Sequence, residues 1–120
     1  MSIYKRIAAF RYAINGLIDA FWTQAHMKFH AVAATGVLLA AWFFRVETWE
    51  WCILIFLIGS ILATETMNTA IEYVVNLVSP EHHPLAGKAK DAAAAAVLLL
   101  SIAAAAIALL IFGHRLLNLL

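Results

Sequence analysis

The chain has 120 residues, 65% of them hydrophobic and only 12% charged, with a formal net charge of +1 and a mean hydropathy of +0.89. A water-soluble domain of this length has too little interior to hide so much apolar side chain, which excludes that class, and so small a net charge gives no electrostatic footing for nucleic acid. What remains is a single all-α integral membrane domain over residues 1–120, with room for about three spans of roughly 20 residues each.

In chain order, the first predicted element is a helix over residues 2–27. Ile3, Ile7, Phe10, Ile14, Leu17, Ile18, Phe21 and Trp22 recur at spacings of three and four, while Lys5, Arg6, Arg11, Asn15 and Asp19 fall largely between them. This is an amphipathic pattern, suited to the headgroup layer with its cations toward anionic lipid. Packing on one end of the protein's own bundle would satisfy it equally. No cleavable signal peptide is expected, because the first long apolar run starts only near Phe29.

Residues 29–44 form the first predicted span. It carries no charge after His30 and is short, with Lys28 and Arg45 placed to snorkel at its ends. Arg45-Val46-Glu47 reads as a tight polar turn. Trp42, Phe43, Phe44, Trp49 and Trp51 around it form an aromatic belt at one membrane face. Residues 49–78 are too long for one perpendicular span. They are expected to cross the membrane and project past the opposite face, stopping before Ser79-Pro80. A polar cytoplasmic loop over 79–91 and a last span over 92–112 complete the chain. That span is alanine-rich, and small residues let membrane helices approach closely, so a homo-oligomer is expected. Cys52 lies alone in an apolar run, where it reads as a small apolar residue without a disulfide partner.

Basic residues set the orientation. Lys5, Arg6, Arg11, Lys28, Lys88 and Lys90 fall on one side, Arg45 and Arg115 on the other. The first side is expected to be cytoplasmic, with the N-terminus inside and the C-terminus outside.

The most informative segment is Glu65-Thr66-Met67-Asn68-Thr69-Ala70-Ile71-Glu72. On a helix Glu65, Asn68, Thr69 and Glu72 stand at i, i+3, i+4 and i+7 and share one face. A charge at membrane depth costs at least about 2.5–3.5 kcal/mol, so it is usually functional or paired. Two carboxylates near Lys88 and Lys90 suit a divalent cation and a phosphate group, since Mg²⁺ takes one or two carboxylates plus phosphate oxygens. A carboxylate can also act as general base on an alcohol. The residues alone leave three readings open: a membrane enzyme handling a phosphate, an ion or proton pathway, and structural acids paired with the lysines. His26 and His30, at i and i+4, have the spacing of a transition-metal pair but equally suit an interface as polar tips. His82 reads as a plain loop residue.

Glu65-x-x-Asn68-Thr-Ala-Ile-Glu72, then Glu81-His-His83, then Gly87-Lys-Ala-Lys90-Asp91, resembles the signature of the small prokaryotic diacylglycerol kinases and their undecaprenol-phosphorylating relatives. The resemblance extends to Tyr12-Ala-Ile-Asn-Gly16-Leu and Met27-Lys28-Phe29-His30. It implies a homotrimer in the bacterial inner membrane, each protomer having a surface helix and three transmembrane helices. It also implies MgATP as phosphate donor and a membrane lipid alcohol, undecaprenol or diacylglycerol, as acceptor. By the same resemblance Glu65 is the base and Asn68 its orienting neighbour. Glu72 falls on the metal and the nucleotide, while Lys5, Tyr12, Glu81, His83, Lys90 and Asp91 fall at the nucleotide. Ala9 and Gly16 join Glu65 at the lipid.

Two positions depart from the family pattern. Gln24 and Asn76 stand where the family usually has a metal-binding Glu and an Asp. Each amide oxygen can still meet Mg²⁺, but the site loses up to two negative charges. The expected function is therefore lipid kinase. The alternatives are a kinase fold with weakened or lost chemistry and a small ion-conducting subunit.

Overall fold

The computed structural model describes residues 2–120, which form four helices and, among the described residues, no strand. Helix α1 spans Ile3–Thr23, α2 Ala25–Phe43, α3 Thr48–Val78 and α4 Pro84–Leu117. The Ser2 hydroxyl caps α1 by accepting the Lys5 N–H at 3.4 Å. Gln24, with φ −109° and ψ 118°, leaves the helical region and separates α1 from α2. The helix expected over 2–27 is therefore shorter, and His26, Met27 and Lys28 open α2 instead.

The turn after α2 is chemically specific. Arg45 adopts φ 52°, the Arg45 N–H meets the Trp42 carbonyl at 3.3 Å, and the Val46 N–H meets the Ala41 carbonyl at 3.2 Å. This is a Schellman ending with arginine in the left-handed position that glycine usually takes. Its accompanying apolar contact joins Ala41 and Val46 in the buried core. The turn is thus only half polar: Arg45 and Glu47 face outward, while Val46 is 7% exposed. Glu47 and Glu50 then form a capping box that starts α3.

His83 caps α4, its Nδ1 accepting the Leu85 N–H at 3.1 Å, and Pro84 occupies the first turn, where its missing N–H costs nothing. The loop expected over 79–91 thus shrinks to 79–83, and Lys88, Lys90 and Asp91 ride on a helix. Helices α3 and α4, at 31 and 34 residues, are each long and apolar enough to cross a membrane. At 1.5 Å per residue α3 is about 46 Å long against a hydrocarbon layer of about 30 Å. Helix α2, with 19 residues and His26, Lys28 and His30 in its first turns, is not among these two.

The protein is a slab of 53 × 43 × 21 Å. Helix α3 packs most extensively on α4 and next on α2, whereas α1 touches α2 and α3 more sparsely. The core of Ala41, Val46, Leu54, Ile111 and Phe112 sits where the start of α3 meets the end of α4. Beside it Arg115 donates from both terminal nitrogens to Glu50, each at 2.8 Å, with the Glu50 side chain 5% exposed. This bidentate pair locks the register of the two long helices. Removing Arg115 leaves the buried Glu50 carboxylate uncompensated, and removing Glu50 strips the partly exposed Arg115 of its partner, so breaking the pair costs more than deleting both charges. Glu50→Gln and Arg115→Met are each expected to lower the melting temperature in detergent by several degrees, and Glu50→Leu with Arg115→Leu to recover part of that loss. Thermal melts followed by helical circular dichroism check this.

Candidate active site

The polar face of α3 is held at the end of the bundle away from that core. Glu65 is 2% exposed, Thr69 3% and Asn68 8%, while Glu72, two turns on, is half-buried. The Thr69 hydroxyl donates to the Glu65 carbonyl at 3.0 Å, so it serves the helix. Among the described residues, Asn68 Oδ1 is the buried side-chain oxygen that has no hydrogen-bond partner. Such an atom calls for an explanation, since buried polar groups are nearly always paired.

Glu65 and Asn68 open into a cleft of about 260 Å³, walled by His26, Phe29 and His30 of α2 and by Ala94, Val97, Leu98 and Ser101 of α4. His30 also lines a narrow apolar groove of about 90 Å³ running on between α2, α3 and α4 past Ala33, Val37, Leu57, Ile61 and Ala104. A carboxylate and an amide thus stand at the head of an apolar track. A second, polar cavity of about 210 Å³ lies where α3 turns into α4, lined by Asn76, Ser79, Glu81, His82, His83 and Lys90 among others. There Lys90 Nζ donates to Asn76 Oδ1 at 2.6 Å.

The sequence-derived candidates separate into groups. Glu65 and Asn68 share the first cleft; Asn76, Glu81, His83 and Lys90 share the second cavity. Lys5, Ala9, Tyr12 and Gly16 occupy one face of α1, all exposed and lining neither space. A methyl group at Gly16 would meet nothing within 4 Å, so packing within one chain does not require glycine there. Asp91 is exposed on α4, and Gln24 is half-buried at the α1–α2 junction. Among the described residues no three His, Cys, Asp or Glu side chains converge as a metal site.

Several features escaped the sequence reading. Ser101 and the two histidines are cleft walls, for which only the i, i+4 spacing of the histidines gave a sign. Tyr73 donates to Asp19 Oδ2 at 2.6 Å and so ties α3 to α1 across 54 positions of sequence. The Glu50–Arg115 pair left a fainter signal: two opposite charges at the same predicted end of two apolar runs.

A family model described as prokaryotic diacylglycerol kinase matches residues 11–112. The chain is similar to an undecaprenol kinase of Bacillus subtilis, at 41% identity over 104 residues covering 87% of this chain and 85% of the relative. It is also similar to diacylglycerol kinases of Haemophilus influenzae (33% identity; 71% and 72% covered) and Escherichia coli K12 (32% identity; 74% and 73% covered).

Proposed function

The chain belongs to the prokaryotic diacylglycerol kinase family and is a membrane lipid kinase, and we propose that it transfers the γ-phosphate of ATP to the primary hydroxyl of undecaprenol. The observation that carries the choice of lipid is the 41% identity to an undecaprenol kinase across most of both chains. A narrow apolar groove that shares His30 with the Glu65 cleft supports it.

In this reading the lipid hydroxyl enters the cleft beside Glu65. Glu65 takes the hydroxyl proton as the alcohol oxygen bonds to the γ-phosphorus, and the bond from that phosphorus to the bridging oxygen of ADP breaks. Asn68, with its amide oxygen unpartnered, orients what enters. Lys90, with Glu81 and His83 in the cavity at the α3–α4 turn, holds the nucleotide and offsets phosphate charge, with Asp91 steadying that turn. Lys5 and Tyr12 contribute from the exposed face of α1, and Ala9 and Gly16 on the same face leave room for the lipid.

By donor chemistry, the proposed Mg²⁺ ligands amount to a one-carboxylate site. Glu72 is the acid, Gln24 offers an amide oxygen, and the Asn76 oxygen already receives Lys90. Bound there with phosphate oxygens and water, the ion would neutralise phosphate charge. We also propose a homotrimer with α2 as a third span, the N-terminus and site on the cytoplasmic side of the inner membrane and the C-terminus outside. Exposed alanines along α4, among them Ala95, Ala96, Ala103 and Ala106, allow close contact between protomers.

A coupled phosphoryl-transfer assay in mixed micelles tests the proposal. Undecaprenol is expected to be phosphorylated with a kcat/KM at least about tenfold above that for diacylglycerol, a discrimination of about 1.4 kcal/mol. Equal or reversed preference would reject the polyprenol assignment, and no turnover with either lipid would reject both.

A further inference from the structure

We propose that Tyr73 and Asp19 are positioning residues for the kinase reaction: their hydrogen bond latches α1 to the far extension of α3 and so sets the nucleotide face of α1 against the Glu72 turn. The inference rests on the assignment of Lys5 and Tyr12 to the nucleotide. Within one chain, helix α1 has little else to hold it besides the Lys28 ammonium over the Trp22 ring at 5.6 Å. Ala20 is its one buried residue, while Ile7, Phe10 and Trp22 are exposed. Its junction with α2 is the single extended residue Gln24, about which a 21-residue helix could swing.

The geometry of the tie is specific. Tyr73 Oη donates to Asp19 Oδ2 at 2.6 Å, a charge-assisted bond. The Thr23 hydroxyl lies 3.4 Å from Tyr73 Oη but donates to the Asp19 carbonyl at 2.7 Å. Each hydroxyl has one hydrogen, so both are committed to Asp19 and the Tyr73–Asp19 bond is the polar link between the helices. Its placement matters. Asp19 stands at i+3 from Gly16 and i+7 from Tyr12, so it continues the Lys5, Ala9, Tyr12, Gly16 face. Tyr73 directly follows Glu72. One turn later Asn76 is bonded to Lys90 of α4 at 2.6 Å, so the same stretch of α3 is fastened to α1 on one side and to α4 on the other.

The test uses Tyr73→Phe, Asp19→Ala, Asp19→Asn and the Tyr73→Phe/Asp19→Ala pair in full-length protein. It combines steady-state kinetics with hydrogen exchange of the α1 amides. Tyr73→Phe and Asp19→Ala are each expected to raise KM for ATP about threefold to tenfold, the scale of one hydrogen bond, with kcat at saturation within about twofold. The double variant should be no worse than either single. Asp19→Asn should retain most of the affinity, because its amide oxygen still accepts from the phenol. Exchange along α1 should quicken in Tyr73→Phe. A merely structural role would lower kcat by losing active protein without moving KM. Unchanged α1 exchange with unchanged KM, or additive losses in the double variant, would overturn the latch. Faster α1 exchange with unchanged KM would overturn its positioning role. A Tyr12→Ala variant then shows whether the fault lies in the nucleotide reading, since its KM would be unchanged too.

Discussion

A Glu65→Gln protein is expected to lose phosphoryl transfer by about 10²–10⁴-fold, the range of a lost general base, while keeping its helix content and its size-exclusion profile. The reasoning starts from burial. Glu65 is 2% exposed on a helix face that it shares with the unpartnered amide of Asn68, and glutamine has the same shape. The substitution therefore removes the ability to accept a proton and little else. Coupled turnover with saturating lipid and ATP, beside size-exclusion profiles of both proteins, checks it. Near-full kcat in the variant would remove Glu65 from the role of base. If the purified protein instead carried an ion flux in liposomes without ATP, and that flux survived the substitution, the ion-conducting reading would take its place.

The second large effect concerns Gln24 and Asn76, the two amides at positions where the resemblance places acids. Gln24→Glu is expected to lower the half-saturating Mg²⁺ concentration by at least on the order of tenfold, because it turns a neutral donor into a charged one and even outer-shell changes carry about 10–100-fold. Asn76→Asp alone is expected to change it much less. The difference comes from Lys90, whose ammonium already donates to Asn76 at 2.6 Å. A carboxylate at position 76 would form an ion pair there and bring little net charge to the metal. Mg²⁺ titrations of activity at fixed ATP separate the two variants. Equal gains from both would mean that Lys90 leaves Asn76 when the nucleotide binds. No gain from either would mean that the chain has retuned its site around Glu72 alone.

Much of this protein is legible in its sequence because a membrane imposes hard constraints. Apolar runs of bounded length, a face of acids and amides inside one of them, and turn residues such as Ser79-Pro80 announce helices α3 and α4 and the face that carries Glu65 and Asn68. Backbone groups in lipid must be satisfied within the segment, so pattern converts almost directly into helix. The motif spacing was enough to recognise the family, which the match over residues 11–112 bears out. Helix ends were less legible. The break at Gln24 rests on one extended residue and the early start of α4 at Pro84 on the His83 cap, and an apolar pattern encodes neither.

The tertiary structure decided which polar groups meet. Nothing in the spacing of Asp19 and Tyr73, or of Glu50 and Arg115, pairs residues 54 and 65 positions apart; only the packing of α1 and α4 on α3 brings them together. Helix packing likewise split the candidate residues into a largely apolar cleft at Glu65 and a polar cavity at Lys90, and gave Asn76 to Lys90. Local pattern settles what a segment is, because each helix satisfies its own backbone. Where one helix's side chains land on another depends on long-range contacts that are formed between segments and written in neither of them alone.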